Sequence, residues 1–365
     1  MGQTLVIAEK PSVAGDIARA LGGFKKDGDF WVSDAMIVGS AVGHLLEIKA
    51  PEEYDVKRGR WSFANLPVLP PHFDLQPIKK SIKKFEGLEK KIRSRSVTDI
   101  INACDAGREG ELIFRYIIQA TGTKKPIRRL WLQSMTKASI QKAFTALRSD
   151  AEMKPLEAAA RSRSEADWLV GINGTRALTA FNSKDGGFFL TTVGRVQTPT
   201  LAIVVAREEE ITHFKPQNYW EVHATFGAQT GDYDSVWVDA DFKKTKGQSA
   251  ELKPERLWTA AEAQAIVAKC QGKLGIVTDH KRRATSAPPA LFDLTSLQRE
   301  ANGRFGFPAK MTLAILQRLY ERHKVLTYPR TDSRALPEDY PETMKETLSH
   351  LQKLEAYNAF AGQIL

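Results

Sequence analysis

Residues 97–111 read Val97-Thr98-Asp99-Ile100-Ile101-Asn102-Ala103-Cys104-Asp105-Ala106-Gly107-Arg108-Glu109-Gly110-Glu111. The mostly apolar residues 97–104 predict a buried strand, and the apolar residues that recur after Glu111 predict a helix. The same arrangement occurs earlier in the chain. A second buried strand is predicted at Leu5-Val6-Ile7-Ala8, and it ends in Glu9-Lys10 before another helix. Strands that alternate with helices predict an α/β unit with a parallel sheet, which we place at residues 1–150.

Both predicted strands end in carboxylates. Because the carboxyl ends of parallel strands meet at one edge of an open sheet, we expect Glu9, Asp105 and Glu109 to form an acidic cluster. Oxygen ligands of this kind suit Mg²⁺, which needs one or two carboxylates and retains several waters. The alternative is that Asp105 and Glu109 only complement the dipole of the helix that follows them. His44, after the apolar Ala41-Val42, is either near this edge or a structural histidine.

A tyrosine stands in the stretch Val325-Leu326-Thr327-Tyr328-Pro329-Arg330-Thr331-Asp332-Ser333. Pro329 disfavours a helical conformation for the residue before it, so Tyr328 is predicted at a strand end or turn. Arg330 lies on the same side of the chain if the chain is extended. A phenol beside a guanidinium suits attack on a phosphodiester, because arginine binds phosphate oxygens bidentately. The alternative is a Tyr-Pro turn with surface charges.

These stretches resemble the type IA DNA topoisomerases. Residues 328–333 resemble the active-site tyrosine motif of that family, and Glu9-Lys10 with residues 105–111 resembles the toprim domain of topoisomerases, primases and some nucleases. Gly43-His44-Leu45 is similar to the topoisomerase III branch. Family members often carry Asp-x-Asp-x-Glu, whereas this chain has Gly107 at the second aspartate. The resemblance therefore implies one ion held through water by Glu9, Asp105 and Glu109, with Glu111 a weaker candidate.

Two more segments carry the resemblance. The first lies in a predicted long helix and reads Asp167-Trp168-Leu169-x-Gly171-x-Asn173, which resembles the helix that lines the family's single-strand groove. The second is residues 194–199 (Gly-Arg-Val-Gln-Thr-Pro), which are close to the family's DNA-contacting signature. From the residues alone, Arg163 and Asp167 form an exposed ion pair four residues apart, and Thr198-Pro199 begins a helix. Trp61, beside Arg60, can stack on an unpaired base or cover a core edge. The resemblance implies DNA contacts from Trp61, Arg163, Asp167, Arg176, Thr192, Val193, Gly194, Arg195, Val196, Gln197 and Arg330.

The remaining chain divides into three predicted parts. Residues 151–212 are a helical part of a single-strand-binding domain. Residues 213–282 alternate apolar and polar side chains around Val222 and Phe226, which predicts antiparallel strands, with a helix at 259–270 and a strand at 274–278. Residues 283–365 contain two predicted helices, 294–304 and 308–321, joined at Gly306, and this pair is typical of helix-turn-helix modules. A duplex-binding module without catalysis is therefore an alternative function.

Composition is consistent with a nucleic-acid partner and excludes a membrane span. The chain has 365 residues, a net charge of +10 and two cysteines without metal-type spacing. An excess of Lys and Arg favours polyanions such as DNA. No apolar run reaches the ~18 residues of a membrane span, and the first residues lack the features of a signal peptide. The two cysteines, Cys104 and Cys270, fit a reducing cytoplasm. A lysine-rich amphipathic helix is predicted over residues 78–92, mainly as a solvated face with non-specific DNA attraction as a lesser role.

The fold class that follows is an α/β toprim domain with mainly helical DNA-binding and tyrosine domains and a β-rich arch segment, an incomplete type IA toroid. The resemblance implies a Mg²⁺-dependent, ATP-independent topoisomerase in which Tyr328 forms a 5′-phosphotyrosine with single-stranded DNA. Arg330 and Lys10 would stabilise the phosphate charge, and Glu9 would be the general acid/base. The implied substrate is negatively supercoiled or catenated DNA of a bacterial nucleoid or plasmid, and the implied partners are a helicase and a single-strand-binding protein.

The family's proteins are longer and carry a histidine motif after the tyrosine. His350 is the histidine that follows Tyr328 here, and no such motif surrounds it. We therefore expect an amino-terminal portion or a short form. The alternatives are a non-catalytic DNA-binding fragment and a toprim nuclease.

Overall fold

The computed structural model describes residues 2–54, 61–243, 251–323, 325–338 and 340–364. Arg60, the predicted neighbour of Trp61 at the DNA, lies outside the described residues. The chain forms two compact units, of which the first is Met1–Pro199 with Pro289–Leu365 and the second is Thr200–Pro288. The predicted divisions near residues 150, 212 and 282 stay predictions.

The described residues form strands and helices throughout both units. The strands are β1 (Gln3–Ala8), β2 (Lys25–Asp27), β3 (Phe30–Val32), β4 (Met36–Ser40), β5 (Leu46–Ile48), β6 (Leu75–Pro77), β7 (Val97–Ala103), β8 (Ile127–Arg129), β9 (Arg148–Ser149), β10 (His223–Ala228) and β11 (Gly231–Val236). The α-helices are α1 (Pro11–Leu21), α2 (Ile82–Arg93), α3 (Arg108–Thr121), α4 (Lys137–Thr145), α5 (Asp150–Asn182), α6 (Gln197–Thr212), α7 (Ala260–Cys270), α8 (Leu294–Phe305), α9 (Ala309–Arg318), α10 (Tyr340–Leu351) and α11 (Asn358–Ile364).

A mixed seven-stranded sheet organises the first unit. Its order is β2-β3-β4-β1-β7-β8-β9. The central strand β1 pairs in parallel with β4 and β7, and Ala8 lies opposite Ala103. The outer pairs β2–β3, β3–β4 and β8–β9 are antiparallel. The predicted α/β fold class is confirmed, and the carboxyl ends of β1 and β7 lie side by side.

Helices cover both faces of the sheet. Leu5 and Ile7 of β1 pack with the buried residues of α2 and α3, while Val6 and Ala8 pack with α1 and α4. Strands buried on both faces need apolar side chains at nearly every position, which explains the continuous apolar runs in the sequence. Asn102 is the buried polar side chain of β7, and it lies near the carboxyl end of that strand, where the acidic residues follow.

The long helix α5 lies against α3. Its N-terminus is a capping box in which the Ser149 hydroxyl accepts from the Glu152 backbone and the Glu152 carboxylate accepts from the Ser149 backbone. Trp168 Nε1 donates to the Lys49 carbonyl at 3.1 Å, and Asn173 Nδ2 donates to the Val68 carbonyl at 3.0 Å. The predicted helix exists and is longer than expected, and its Trp and Asn fasten it to the loop between β5 and β6.

The two helices predicted before Tyr328 are α8 and α9. Helix α8 ends at Gly306, whose φ of +66° is the left-handed conformation that glycine adopts without strain. A π-helical turn, Leu319–His323, continues α9. Tyr328 follows in an irregular segment, as predicted from Pro329, and the Leu294 N–H donates to the Thr331 carbonyl at 3.0 Å, so this segment is held against the start of α8.

The second unit contains the antiparallel pair β10–β11 and helix α7. The strand predicted at 274–278 is wrong, because the chain there is irregular and Leu274 and Ile276 are fully exposed. Its alternation of side chains suits a strand, but none of the described strands pairs with it, although the Phe226 ring of β10 lies close to Gly275. No helix among the described ranges combines the length and the apolar character that crossing a bilayer requires.

Candidate active site

The ends of β1 and β7 bring together residues from three distant parts of the first unit. Glu9 follows β1, Asp105 follows β7, and Tyr328 lies 223 residues beyond Asp105. The Tyr328 hydroxyl donates a hydrogen bond to Asp105 Oδ2 at 3.1 Å. Lys10 Nζ lies 5.6 Å from the centre of the Tyr328 ring. The structure therefore places a phenol, an ammonium group and two carboxylates at one edge of the sheet.

Glu9 is the most buried carboxylate of this group, with 9% of its surface exposed. Burial, followed by the charge of Asp105, raises the pKa of Glu9, whereas Lys10 and the Asp105 backbone amide oppose the rise. Glu9 Oε2 is buried and has no hydrogen-bond partner among the described residues. A carboxyl group that keeps its proton to unusually high pH is suited to donate it to a leaving oxygen.

Tyr328 is held in place by neighbours on both sides. The Tyr320 ring meets it edge-on at 5.7 Å between centroids, and Pro329 is buried. Burial and then the Asp105 carboxylate raise the pKa of Tyr328 well above its ordinary value, while Arg330 acts in the opposite direction. The phenol is therefore neutral in this state and bonded to a carboxylate that can receive its proton.

Glu109 contacts His44 Nε2 through its carboxylate, and its charge adds to those that raise the pKa of Glu9. His44 follows a strained turn, since Val42 has a φ of +63° and Gly43 a φ of +82°. A β-branched residue rarely adopts a positive φ, so the surrounding contacts must enforce it. The Gly43 N–H donates to the Glu9 carbonyl at 3.1 Å, which ties the turn to the end of β1. Of the two open alternatives for His44, the structure supports a place at the acidic edge.

The two glycines after Asp105 differ in what they require. A Cβ on Gly110 would lie 2.2 Å from the Asp105 carbonyl oxygen, so glycine is necessary where α3 passes this close to the turn. A Cβ on Gly107 would meet nothing within 4 Å, and its φ of 178° is extended backbone that any residue adopts. The missing second aspartate of the family pattern is therefore not a steric consequence of the fold.

Glu111 belongs to a buried ion network. It is fully buried, its Oε1 accepts from Arg115 Nε at 2.7 Å, and its Oε2 accepts from Asn102 Nδ2 at 3.0 Å. Arg129 Nε lies 3.4 Å from the same Oε2. Both oxygens of this carboxylate have partners, so Glu111 has no free oxygen for a metal ion. From the sequence, Glu111 is a weaker candidate metal ligand than Glu9, Asp105 and Glu109.

Arg129 hydrogen-bonds to the backbone around Asp105, and its role is not predicted from the sequence. Its guanidinium donates to the carbonyls of Asn102 at 3.0 Å, Cys104 at 2.7 Å and Asp105 at 2.7 Å. Burial lowers the pKa of Arg129, but the nearby Glu111 and Asp105 charges counteract this. The sequence offers only an Arg-Arg pair in a short strand, and nothing in that pattern indicates which arginine turns inward.

Mg²⁺ fits part of this donor set. No cluster of three or more acidic, histidine or cysteine ligands is assembled within the described ranges, and Glu109 contacts His44. Glu9 and Asp105 remain adjacent, and the buried Glu9 Oε2 lacks a partner among the described residues. Mg²⁺ commonly uses one or two carboxylates and completes its shell with water and substrate phosphate. The residues therefore fit one ion at Glu9 and Asp105.

A basic cavity opens beside the start of α3. It has a volume of about 380 Å³ and is lined by Arg108, Ser162, Arg163, Asp167, Arg195 and Val196. Arg195 Nη1 donates to Asp167 Oδ1 at 2.8 Å, and Arg163 Nε lies 3.9 Å from Asp167 Oδ2. Three guanidinium groups and one carboxylate line the cavity, so it carries excess positive charge and suits an anionic ligand.

The segment before α6 lies against α5. The Val193 N–H donates to Thr175 Oγ1 at 3.0 Å, and the Gly194 N–H donates to Thr198 Oγ1 at 3.0 Å. Helix α6 begins at Gln197, so the predicted start at Thr198-Pro199 is wrong by two residues. Thr198 is already in the first turn, where its hydroxyl binds the preceding loop. Thr192, Val196 and Gln197 are exposed.

Arg176 and Trp61 contact each other. Arg176 is buried, pairs with Glu52, and has its guanidinium 5.3 Å from the centre of the Trp61 ring. Trp61 also meets Phe188 edge-on at 5.7 Å. Arg176 therefore has a protein partner in this state, and the DNA contacts of both residues stay predictions.

The comparisons with known proteins agree with this geometry. A family model described as DNA topoisomerase matches residues 151–365, and a Toprim domain model matches residues 4–135. The chain belongs to the DNA topoisomerase family. This family is of type IA, and its members are isomerases.

Curated relatives of this topoisomerase chain are about twice its length. DNA topoisomerase 3 of Bacillus subtilis (strain 168) is 41% identical over 366 residues, which are 100% of this chain and 48% of that protein. DNA topoisomerase 3 of Shouchella clausii (strain KSM-K16) is 43% identical over 351 residues, 95% of this chain and 45% of that protein. The chain thus spans about half the length of the relatives it matches.

A solved structure shares the fold. Full-length topoisomerase I from Thermotoga maritima matches with a TM-score of 0.59 and 23% identity, over 95% of this chain and 52% of that one. Together with the family models, this match confirms the predicted fold class of a toprim domain joined to type IA topoisomerase domains.

Proposed function

We propose that this chain carries the cleavage site of a Mg²⁺-dependent, ATP-independent type IA topoisomerase that acts on single-stranded DNA. The observation that carries the proposal is the 3.1 Å hydrogen bond from the Tyr328 hydroxyl to Asp105, beside the buried Glu9. A tyrosine bonded to a carboxylate at a sheet edge has both a nucleophilic oxygen and a proton acceptor within reach.

The proposed step exchanges one phosphodiester for another. Tyr328 Oη attacks the DNA phosphorus and loses its proton to Asp105, while the bond from phosphorus to the 3′-oxygen breaks. Glu9 gives its proton to that leaving oxygen, so the products are a 5′-phosphotyrosine and a 3′-hydroxyl. The reverse step rejoins the strand after another strand has passed. Because the phosphotyrosine conserves the energy of the broken bond, the cycle needs no ATP.

Cations near the phenol assist the step. Lys10 lies beside the Tyr328 ring, and the charge of Arg330 already acts on the phenol. Both can stabilise the charge that develops on the phosphate. Once Glu9 has given up its proton, Glu9 and Asp105, joined by Glu109 if it leaves His44, would hold Mg²⁺, which when bound supplies positive charge that positions the DNA ends.

The strand itself would be held along α5 and the segment before α6. The basic cavity at Arg163, Asp167 and Arg195 supports this path, because phosphates favour guanidinium partners. We propose that the exposed segment from Thr192 to Gln197 and the Trp61–Arg176 pair continue it. The proposed setting is bacterial cytoplasm on nucleoid or plasmid DNA, with relaxation and decatenation as outcomes and a helicase and a single-strand-binding protein as partners.

Covalent trapping tests the proposal. The chain is mixed with a labelled single-stranded oligonucleotide and Mg²⁺, quenched with SDS, and examined for a protein–DNA adduct. We expect an adduct that Tyr328→Phe abolishes and that Tyr320→Phe, a neighbouring tyrosine ring, retains. Peptide mapping of the adduct should locate the phosphate on Tyr328.

Other outcomes identify the alternatives. Metal-dependent cutting that survives Tyr328→Phe would show a toprim nuclease. Binding without any adduct, also after the carboxyl-terminal half of a relative is added, would show a DNA-binding fragment. Either result overturns the proposal.

A further inference from the structure

One face of helix α2 packs against the core, and a second face is rich in lysine. Phe85, Leu88 and Ile92 are buried against the sheet. Lys84 and Lys91 reach the β2–β3 hairpin, where they lie 3.1 Å from Asp29 and 3.8 Å from Asp27. These two lysines have a structural role, because they join α2 to the edge of the sheet.

Three other lysines have no such role. Lys79 and Lys80, in the 3₁₀ turn before α2, and Lys83, in its first turn, are exposed. None of them forms an ion pair with a residue in the described part of the chain. Glu86 follows Lys83 by three residues and is the acidic side chain of this turn. We call Lys79, Lys80 and Lys83 the lysine cluster, and its net charge is positive.

The fold brings the lysine cluster to the catalytic edge of the sheet. Strand β6 pairs with β5 so that Pro77 lies opposite Leu46. The next residue, Ile78, donates its N–H to the Leu45 carbonyl at 2.9 Å. Leu45 follows His44, which contacts Glu109. The lysine cluster thus begins one residue after a backbone contact with the loop that carries His44.

The direction of α2 supports the same placement. Helix α2 ends at Arg93, and β7 starts at Val97 and ends beside Asp105. The start of α2 therefore lies towards the carboxyl end of β7, and its last turn lies towards the amino end. The lysines of the cluster are at the reactive edge of the sheet, while the basic residues of the last turn are at the opposite edge.

We propose that the lysine cluster binds phosphates of the single-stranded DNA that is held at Tyr328, and so extends the strand path over the toprim domain beyond His44. This inference rests on the proposed function for the presence of the strand. Lysine ammonium groups act as point charges on phosphate oxygens and read no sequence. The contacts would hold DNA next to the reacting bond without taking part in the chemistry.

Salt dependence of binding gives a direct test. A triple variant, Lys79→Ala with Lys80→Ala and Lys83→Ala, is compared with a matched control that removes three other exposed cations, at the opposite edge. The control is Lys90→Ala with Arg95→Ala and Lys124→Ala, in the last turn of α2 and before β7 and β8. Both are made in the Tyr328→Phe chain with EDTA, so that binding is measured without cleavage.

Fluorescence anisotropy with a labelled single-stranded oligonucleotide of mixed sequence reports affinity against NaCl concentration. Removing one lysine–phosphate ion pair lowers the slope of log K against log [NaCl] by about 0.7, so the slope for the cluster variant should fall by about 2. Its affinity at low salt should fall by roughly 10- to 100-fold, whereas the control keeps the parent slope. Equal slopes for the two triple variants would overturn the proposal.

Failure of the lysine-cluster proposal can be distinguished from failure of the proposed function. Covalent trapping with Tyr328 intact reports cleavage, and the anisotropy series reports the strand path. Equal slopes with an intact adduct would refute the lysine cluster alone. A slope difference without any adduct would refute the cleavage mechanism and leave the DNA contact standing. Thermal unfolding of both triple variants confirms that the exposed substitutions preserve the fold.

Discussion

Asp105 is the residue on which the site depends most. Its carboxylate accepts from Tyr328, and its backbone carbonyl accepts from Arg129. Gly110 leaves room for that carbonyl where α3 passes the turn. Small displacements of this backbone would misalign the phenol and its hydrogen-bond acceptor, and under the proposed mechanism errors of about 1 Å are expensive in catalysis.

Gly110→Ala should therefore damage both stability and cleavage. The added methyl group would overlap the Asp105 carbonyl, and overpacking of this kind costs typically about 1–3 kcal/mol. Urea denaturation measures the stability, and adduct yield measures cleavage.

Gly87→Ala is the matched control for that substitution. Gly87 lies inside α2 with open space around it, so alanine there should stabilise the chain by about 0.5–1 kcal/mol. Comparable losses in the two variants would contradict the steric explanation for Gly110.

Gly107→Asp should strengthen metal binding. The position has free space and an extended backbone, so an aspartate is accommodated beside the Asp105 turn. A further carboxylate near a divalent ion should raise affinity by about tenfold or more. Titration with Mn²⁺ followed by electron paramagnetic resonance measures this without an activity assay. Gly107→Asn supplies an oxygen without the charge and should give a smaller gain, and unchanged affinity in both would show that position 107 does not face the ion.

Helix α8 is the element that positions the tyrosine segment. Asp293 caps its N-terminus by accepting from the Ser296 N–H at 2.6 Å, and it also accepts from Arg334 Nε at 3.0 Å. Arg334 and Thr331 both follow Tyr328 closely, so one carboxylate joins the helix start to the segment that carries the proposed nucleophile.

Acid should loosen this junction. Hydrogen bonds from Ser296, and then the Arg334 guanidinium, lower the pKa of Asp293 to about 2, below the unfolded value of about 3.9. A depressed folded pKa means that the stabilisation is present above the unfolded pKa and is lost as pH falls through the folded pKa. Thermal unfolding between pH 5 and pH 2 should show that loss. Asp293→Asn keeps a capping oxygen without the charge and should remove this part of the pH dependence, whereas Asp293→Ala should also lower the melting temperature at pH 7.

Local signals explain which elements the sequence could predict. The turn at Gly306 and the non-helical position of Tyr328 before Pro329 depend on neighbours in the chain, and the structure agrees with those expectations. The strand predicted at 274–278 failed because a strand also needs a partner at long range. Arg129 and the positive φ of Val42 depend on contacts with distant backbone, which no local pattern reveals.

At the scale of the molecule, the two units differ in how much they bury. In the first unit, the side chains of β1 and β7 are largely inaccessible, whereas Ala263 is the buried side chain among the described residues of the second. A two-stranded pair with little apolar cover is marginally stable.

Hydrogen exchange should reflect this difference. Backbone amides of β1 and β7 should exchange orders of magnitude more slowly than those of β10 and β11, because the former open only with the unit as a whole. Mass spectrometry of exchanged and digested chain measures both regions in one experiment. Similar protection in β10–β11 and in the central strands would show that the second unit is stabilised by more than its buried area indicates.

The hydrogen bond between Tyr328 and Asp105 spans 223 residues of chain, and that separation has a consequence in time. Domains fold as they leave the ribosome, which adds about 5–20 residues per second, so the sheet and its acids can form roughly 10–45 s before Tyr328 is made. Throughout that interval the nascent chain holds the acidic residues but lacks the proposed nucleophile. Under the proposed mechanism the chain is thus unable to cut DNA during its own synthesis, and a chain released early has no means to cut a chromosome by this route.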